Sequence, residues 1–116
     1  MSERERIHAK YGGRCAYCGD EITVKQMHVD HIEQMRRGDP GDKTHLEVFE
    51  NKNPSCRSCN YYKSTYSLEQ FRGRMDLMIQ NLLRQSTVKV LLRYDKVQFT
   101  TGPVKFYFES ERSDDY

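Results

Sequence analysis

Two Cys-x-x-Cys pairs constrain this chain more than any other feature: Cys15 with Cys18, and Cys56 with Cys59. Each short pair lets two thiolates converge on one ion from a tight turn. Two pairs complete a tetrahedral sulfur shell, which favours zinc. A closed four-sulfur shell leaves no position for water, so such a zinc is structural rather than catalytic. Residues 19–55 separate the pairs, well beyond the roughly 15–20 residues of a zinc ribbon. The insert must therefore fold as something of its own. Redox pairs and unrelated buried thiols are the competing readings, and zinc stoichiometry against free thiols separates them. The chain has reason to need a staple. Only 36% of its 116 residues are hydrophobic, against roughly 45–50% apolar in an ordinary domain, so its core is thin.

Composition excludes some classes. No stretch approaches the roughly 20 apolar residues of a membrane helix, and the N-terminus, Met-Ser-Glu-Arg-Glu-Arg-Ile-His, has charges where a secretory signal has an apolar run. The expected compartment is the cytoplasm, with no membrane partner. The net charge is +2. Glu109, Glu111, Asp114 and Asp115 make the C-terminal end acidic, which leaves the body more positive, a weak pointer to a polyanion.

The chain predicts one small α+β domain over residues 1–108, with a motif core at 11–63, a helical and short β extension at 64–108, and a flexible acidic tail at 109–116. Ser2 and Glu5 have capping-box spacing for a helix running to Tyr11, which Gly12-Gly13 stops. Glu21 to Ile32 reads as extended, with His28 and Asp30 on one face and Val29 and His31 on the other. Gly38 to Thr44 is a turn-rich loop. A helix is expected over Cys56–Lys63 and another from Ser67. The stripe Leu68, Phe71, Met75, Met78, Ile79, Leu82, Leu83 on the second has helical spacing and reads as core. A short helix is expected around Val88–Leu92. Strands are expected at Val97–Phe99 and Val104–Phe108, with Phe106 and Phe108 as packing residues.

The insert carries His28-Val-Asp30-His31-Ile32, then Asn51 ahead of Cys56, then Asn60 directly after Cys59 and Lys63 beyond it. With Arg14-Cys-Ala-Tyr-Cys-Gly19 and Asn51-Lys-Asn-Pro-Ser-Cys-Arg-Ser-Cys-Asn-Tyr-Tyr-Lys63, the stretch from Tyr11 to Lys63 resembles the HNH endonucleases. It is similar to the subset whose ββα-metal active site is bracketed by two Cys-x-x-Cys pairs. The resemblance implies divalent-metal-dependent hydrolysis of DNA phosphodiesters. It implies His31 as general base, Asp30 and Asn60 as oxygen ligands of a catalytic ion, and Asn51 as the residue that orients the catalytic loop and the histidine. A neutral imidazole suits the base role near neutral pH. Many family members have His at the last position; Asn60 stands there here, and its amide oxygen points to Mg2+ or Mn2+ as the catalytic ion.

Lys63 would reach backbone phosphate from the helix that carries Asn60, and Arg57, Arg36 and Arg37 could join it as contacts without sequence information. Of Tyr61 and Tyr62, one is expected in the core. His28 could meet phosphate or ion, or be a plain strand histidine. His8 and His45 read as surface residues. The rival functions are a non-catalytic zinc-knuckle module binding DNA or protein, and a degenerate HNH partner subunit. A homodimer or a larger nuclease or packaging assembly is left open.

Overall fold

The computed structural model describes residues 1–35, 44–100 and 102–114, the last of these without side chains from 111 onward. Arg36, Arg37 and most of the loop expected at Gly38–Thr44 lie outside the described residues. The chain divides into two compact units, Met1–Leu68 joined by the segment from Lys105, and Glu69–Val104.

The first unit opens with helix α1, Glu3–Ala9. Ser2 accepts from the Glu5 amide while the Glu5 side chain reaches back to the Ser2 backbone, a complete capping box. Gly12 and Gly13 follow at positive φ, 66° and 81°, which releases the chain from the helix at little steric cost. His8, expected at the surface, is instead half-buried, and its Nε2 lies 2.6 Å from the Ile22 carbonyl, tying α1 to the insert.

The extended stretch expected over 21–32 shortens to strand β1, His28–His31. Thr23 explains the difference: its hydroxyl accepts the Gln26 amide at 3.1 Å, so the chain turns where β-branching alone favours a strand. Strand β2, Lys52–Ser55, pairs antiparallel with β1, in the register His28↔Ser55, Val29↔Pro54, Asp30↔Asn53, His31↔Lys52. Pro54 carries no N–H, which a two-stranded sheet tolerates because every strand has a free edge. Its carbonyl accepts the Ala16 amide at 2.8 Å and ties the first cysteine turn to β2. Helix α2, Arg57–Lys63, follows directly with Cys56 as its N-cap. Strand, strand and helix thus succeed one another as β1, β2 and α2.

The strand expected at Val104–Phe108 is not formed. Helix α5, Tyr107–Asp114, takes its place and runs into the segment expected as a flexible tail. Phe106 and Phe108 are buried as packing residues, against Tyr17 in edge-to-face contacts at 5.4 and 5.8 Å. The amides of Tyr107 and Phe108 donate to the carbonyls of Tyr17 and Ala16. Glu109 accepts from the Phe106 amide at 2.9 Å, as a capping glutamate does. Alternating aromatics here record docking onto the cysteine turn, not a sheet.

The second unit carries helix α3, Leu68–Leu83, from its second residue onward, and helix α4, Ser86–Arg93. Residues 97–99 form no strand. Of the α3 stripe only Phe71 is fully buried; Leu82 and Leu83 each remain 38% exposed. A unit this short has too little chain to cover a stripe of that length. Among the described residues no helix is long and apolar enough to cross a membrane.

Candidate active site and metal centre

The four cysteine sulfurs lie within 4.8 Å of one another. Cys18 Sγ and Cys56 Sγ are 3.8 Å apart, far beyond a disulfide and close to the edge of about 3.8 Å that a tetrahedron of Zn–S bonds of about 2.3 Å requires. Backbone amides point at the sulfurs as well: Tyr17 N at Cys15 Sγ and Cys59 N at Cys56 Sγ, both 3.4 Å. The crowding pulls the thiol acidities apart. A hydrogen bond from Cys59 holds Cys15 down at about 4. Burial pushes Cys18 up to about 12, and the bond to Cys15 followed by burial pushes Cys59 up. Four sulfurs this close cannot all be thiolates without a cation between them, so the donor set fits a divalent ion.

Asp30 points from β1 into the interior and is 4% exposed. Its carboxylate accepts from the Tyr17 hydroxyl and from Lys63 Nζ, at 3.2 Å on Oδ1 and 3.1 Å on Oδ2. Burial raises the Asp30 pKa above the usual carboxylate range, against the pull of the Lys63 charge and the Tyr17 hydroxyl. Burial and the Asp30 charge push the Tyr17 phenol up, which keeps it a donor. Lys63, expected to reach phosphate, is fully buried instead and also donates to the His31 carbonyl at 3.0 Å. The reason is electrostatic: a buried carboxylate demands a counter-charge, and Lys63 is the cation that α2 brings to it. Lys63→Met should therefore cost about 3–5 kcal/mol of stability, because it strands Asp30 without a partner. Urea unfolding of the metal-loaded protein measures this, and the Asp30→Leu/Lys63→Met pair should recover most of the loss. A single Lys63→Met protein as stable as the parent would show that the pair contributes nothing.

His31 ends β1 on the opposite face, with its side chain 23% exposed. Asn51 clamps the chain that follows it. Its Oδ1 accepts the Glu33 amide at 3.0 Å, and its Nδ2 donates to the carbonyls of Glu33 at 2.9 Å and Leu46 at 3.1 Å. The Ile32 amide donates to the Asn51 carbonyl at 2.9 Å. Glu47, next to Leu46, lies with Oε2 3.2 Å from His31 Nε2. Sequence reasoning missed Glu47, since no spacing marks it and only the Asn51 clamp brings it to the histidine. Tyr17 was missed too, although a tyrosine between two cysteines must find a partner for its hydroxyl once buried.

Asn60 sits half-buried on α2, one turn before Lys63, so the helix presents both along one side. Asp30 and Asn60 offer hard oxygens, the donor type that Mg2+ or Mn2+ takes. Oδ1 of Asp30 carries a single hydrogen-bond partner among the described residues, so a carboxylate oxygen retains acceptor capacity. Arg57 is exposed at the start of α2. With Lys25, His28 and Cys56 it lines an open cleft of about 630 Å³. His28 is exposed at the other end of β1 from His31. Tyr61 and Tyr62, one of them expected in the core, are 75% and 48% exposed and meet edge to face at 5.2 Å. On a helix this short the inward side is taken by Lys63, which leaves the tyrosines outside.

A two-stranded sheet followed by a helix, with four clustered thiols beside a histidine-bearing strand, defines a small α+β domain with a candidate metal centre. Residues 15–65 match the family described as HNH endonuclease. No curated protein matches the chain significantly.

Proposed function

We propose that the chain is a divalent-metal-dependent endonuclease that hydrolyses DNA phosphodiester bonds, nicking one strand before the other, with a structural zinc on Cys15, Cys18, Cys56 and Cys59. The observation that carries this reading is the Asn51 clamp. It fixes the backbone two residues after His31, through both the amide and the carbonyl of Glu33, and leaves the imidazole partly open to solvent. A base must be held in place and still reach its water.

In this reading His31 takes a proton from the attacking water. The water oxygen forms a bond to phosphorus, and the bond from phosphorus to the leaving sugar oxygen breaks. Asp30 and Asn60 would hold the catalytic ion, which supplies positive charge at the phosphate and the leaving oxygen. Arg57, exposed at the α2 start, meets backbone phosphate by charge. Lys63 acts from inside, by neutralising Asp30 and gripping the His31 carbonyl.

Supercoiled plasmid incubated with Mg2+ or Mn2+ tests the reading. One base and one ion make one attack, so open circles should appear before linear DNA, and omission of the ion should stop both. Linear DNA appearing first at low protein concentration would point to an assembled dimer. A second reading is favoured by the Asp30–Lys63 pair, which commits the carboxylate internally: an HNH scaffold kept as a binding module. Salt-dependent DNA binding with no cleavage under any ion would decide for it.

A further inference from the structure

In the first unit a chain of ion pairs ends on the His31 ring. His31 Nε2 lies 3.2 Å from Glu47 Oε2. The other Glu47 oxygen lies 2.6 Å from Lys52 Nζ, and Lys52 Nζ lies 2.5 Å from Glu3 Oε1 at the start of α1. Lys52 is the residue directly opposite His31 in the β1–β2 ladder, and its side chain is 12% exposed. Its ammonium is held above the ordinary lysine range by Glu3 first and Glu47 second. Lys10 fixes the same region from α1, donating to the carbonyls of Phe49 at 2.9 Å and Lys52 at 2.6 Å.

We propose that Glu47 is the positioning residue of His31: it holds the imidazole ring in one orientation and one tautomer. The inference rests on the reading of His31 as the base. An ionised carboxylate only accepts hydrogen bonds, so the Nε2 facing it must carry the proton, and Nδ1 is left as the accepting nitrogen. A partner of this kind on one ring nitrogen is what sets the chemistry of the other. The carboxylate is itself held. Lys52 fixes one oxygen, and Asn51 fixes the residue before it through the Leu46 carbonyl. Asn51 therefore clamps both sides of the contact, since it also binds Glu33, two residues past His31. Two short segments far apart in sequence are thus brought to one ring by one side chain. A surface carboxylate with a freely rotating stem would do no such work; this one is held by Lys52 at one oxygen and His31 at the other.

The test compares Glu47→Ala and Glu47→Gln with the parent, all zinc-loaded. The first readout is the His31 Nε2–H proton by NMR at pH 8, assigned by its loss in His31→Ala. In the parent it should be visible, protected from exchange by the carboxylate. It should persist in Glu47→Gln, whose amide oxygen still accepts, and vanish in Glu47→Ala. The second readout is plasmid nicking. Glu47→Ala should lower kcat by about 10–100-fold, the usual effect of losing an outer partner, with KM little changed, and Glu47→Gln should recover much of it. No protected proton in the parent overturns the inference whether or not the protein cuts DNA. Loss of the proton without loss of kcat in a cutting protein overturns the positioning role and leaves the nuclease reading standing. Faster cutting by Glu47→Ala overturns it as well, and would make Glu47 a plug on the base. A parent that shows the protected proton and cuts no DNA sinks the nuclease reading while the contact itself stands.

Discussion

Replacing His31 with alanine should abolish DNA cleavage while leaving zinc content, fold and DNA binding intact. Loss of a general base costs roughly 10²–10⁴-fold, and here the fold should not feel the change. The ring is not among the buried core side chains, and the bonds that hold its backbone come from Lys63 to its own carbonyl and from the Asn51 clamp on the residues after it. Removing the ring spares all of them. Asp30→Ala and Asn60→Ala should behave differently. By weakening the hold on the catalytic ion they leave a defect that more Mg2+, or Mn2+, partly restores, whereas the His31 defect is not restored. Asp30→Ala should also lose stability, because Lys63 is then left buried without its counter-charge. The His31/Asn60 double variant should lose less than the two single losses combined, as groups serving one transition state do. Plasmid nicking rates over a series of ion concentrations measure all of this. His31→Ala cutting as fast as the parent would end the catalytic reading and leave the binding module.

How much of this was legible in the sequence depends on how local each signal is. The α1 capping box and α2 after Pro54 rest on neighbours a few residues apart, and both are formed; each cysteine pair is equally local, and matched chemistry marks the two pairs as partners across residues 19–55. The Asn51 side chain bonds to the backbone of Glu33 and Leu46, partners that no motif spacing marks. What could not be read is which charges the interior consumes. Lys63 looks like any exposed lysine near a phosphate site, yet the burial of Asp30 pulls it inward. Glu47, Lys52 and Tyr17 meet their partners across long stretches of chain, which no periodicity records. The aromatic alternation at Phe106 and Phe108 was read as a strand because period 2 fits one, but the side chains answer to Tyr17 rather than to a neighbouring strand. Thr23 shows the opposite failure, a local hydroxyl bond defeating a β-favouring composition.

Removing the zinc should unfold the site, and this is the largest effect expected on stability. Structural Zn2+ in small domains contributes about 10–16 kcal/mol of apparent binding energy at pH 7, and that energy is folding energy. The dependence here can be followed residue by residue. Cys56 is both the proposed ligand and the N-cap of α2, which carries Asn60 and Lys63. Cys15 begins the turn whose Ala16 amide bonds Pro54 of β2 and whose Tyr17 holds Asp30. That same turn receives Phe106 and Phe108. A metal joining the two turns therefore joins β2, α2, the Asp30–Lys63 pair and the C-terminal segment at once. Without it, four sulfurs within 4.8 Å can relieve their mutual repulsion only by taking up protons or moving apart. The expected results are about one zinc per chain by elemental analysis, and loss of zinc with most far-UV structure in Cys15→Ser or Cys56→Ser. Chelation of the parent should do the same, faster at lower pH, because protons compete with the metal for thiolate. The protein has no Trp and 8 Tyr, so the near-UV signal of tyrosine should fall in step as Tyr17 leaves its pocket. A zinc-free parent that keeps its far-UV spectrum and its tyrosine signal in reducing buffer would refute the structural role, and with it the account of how α2 is held against β1.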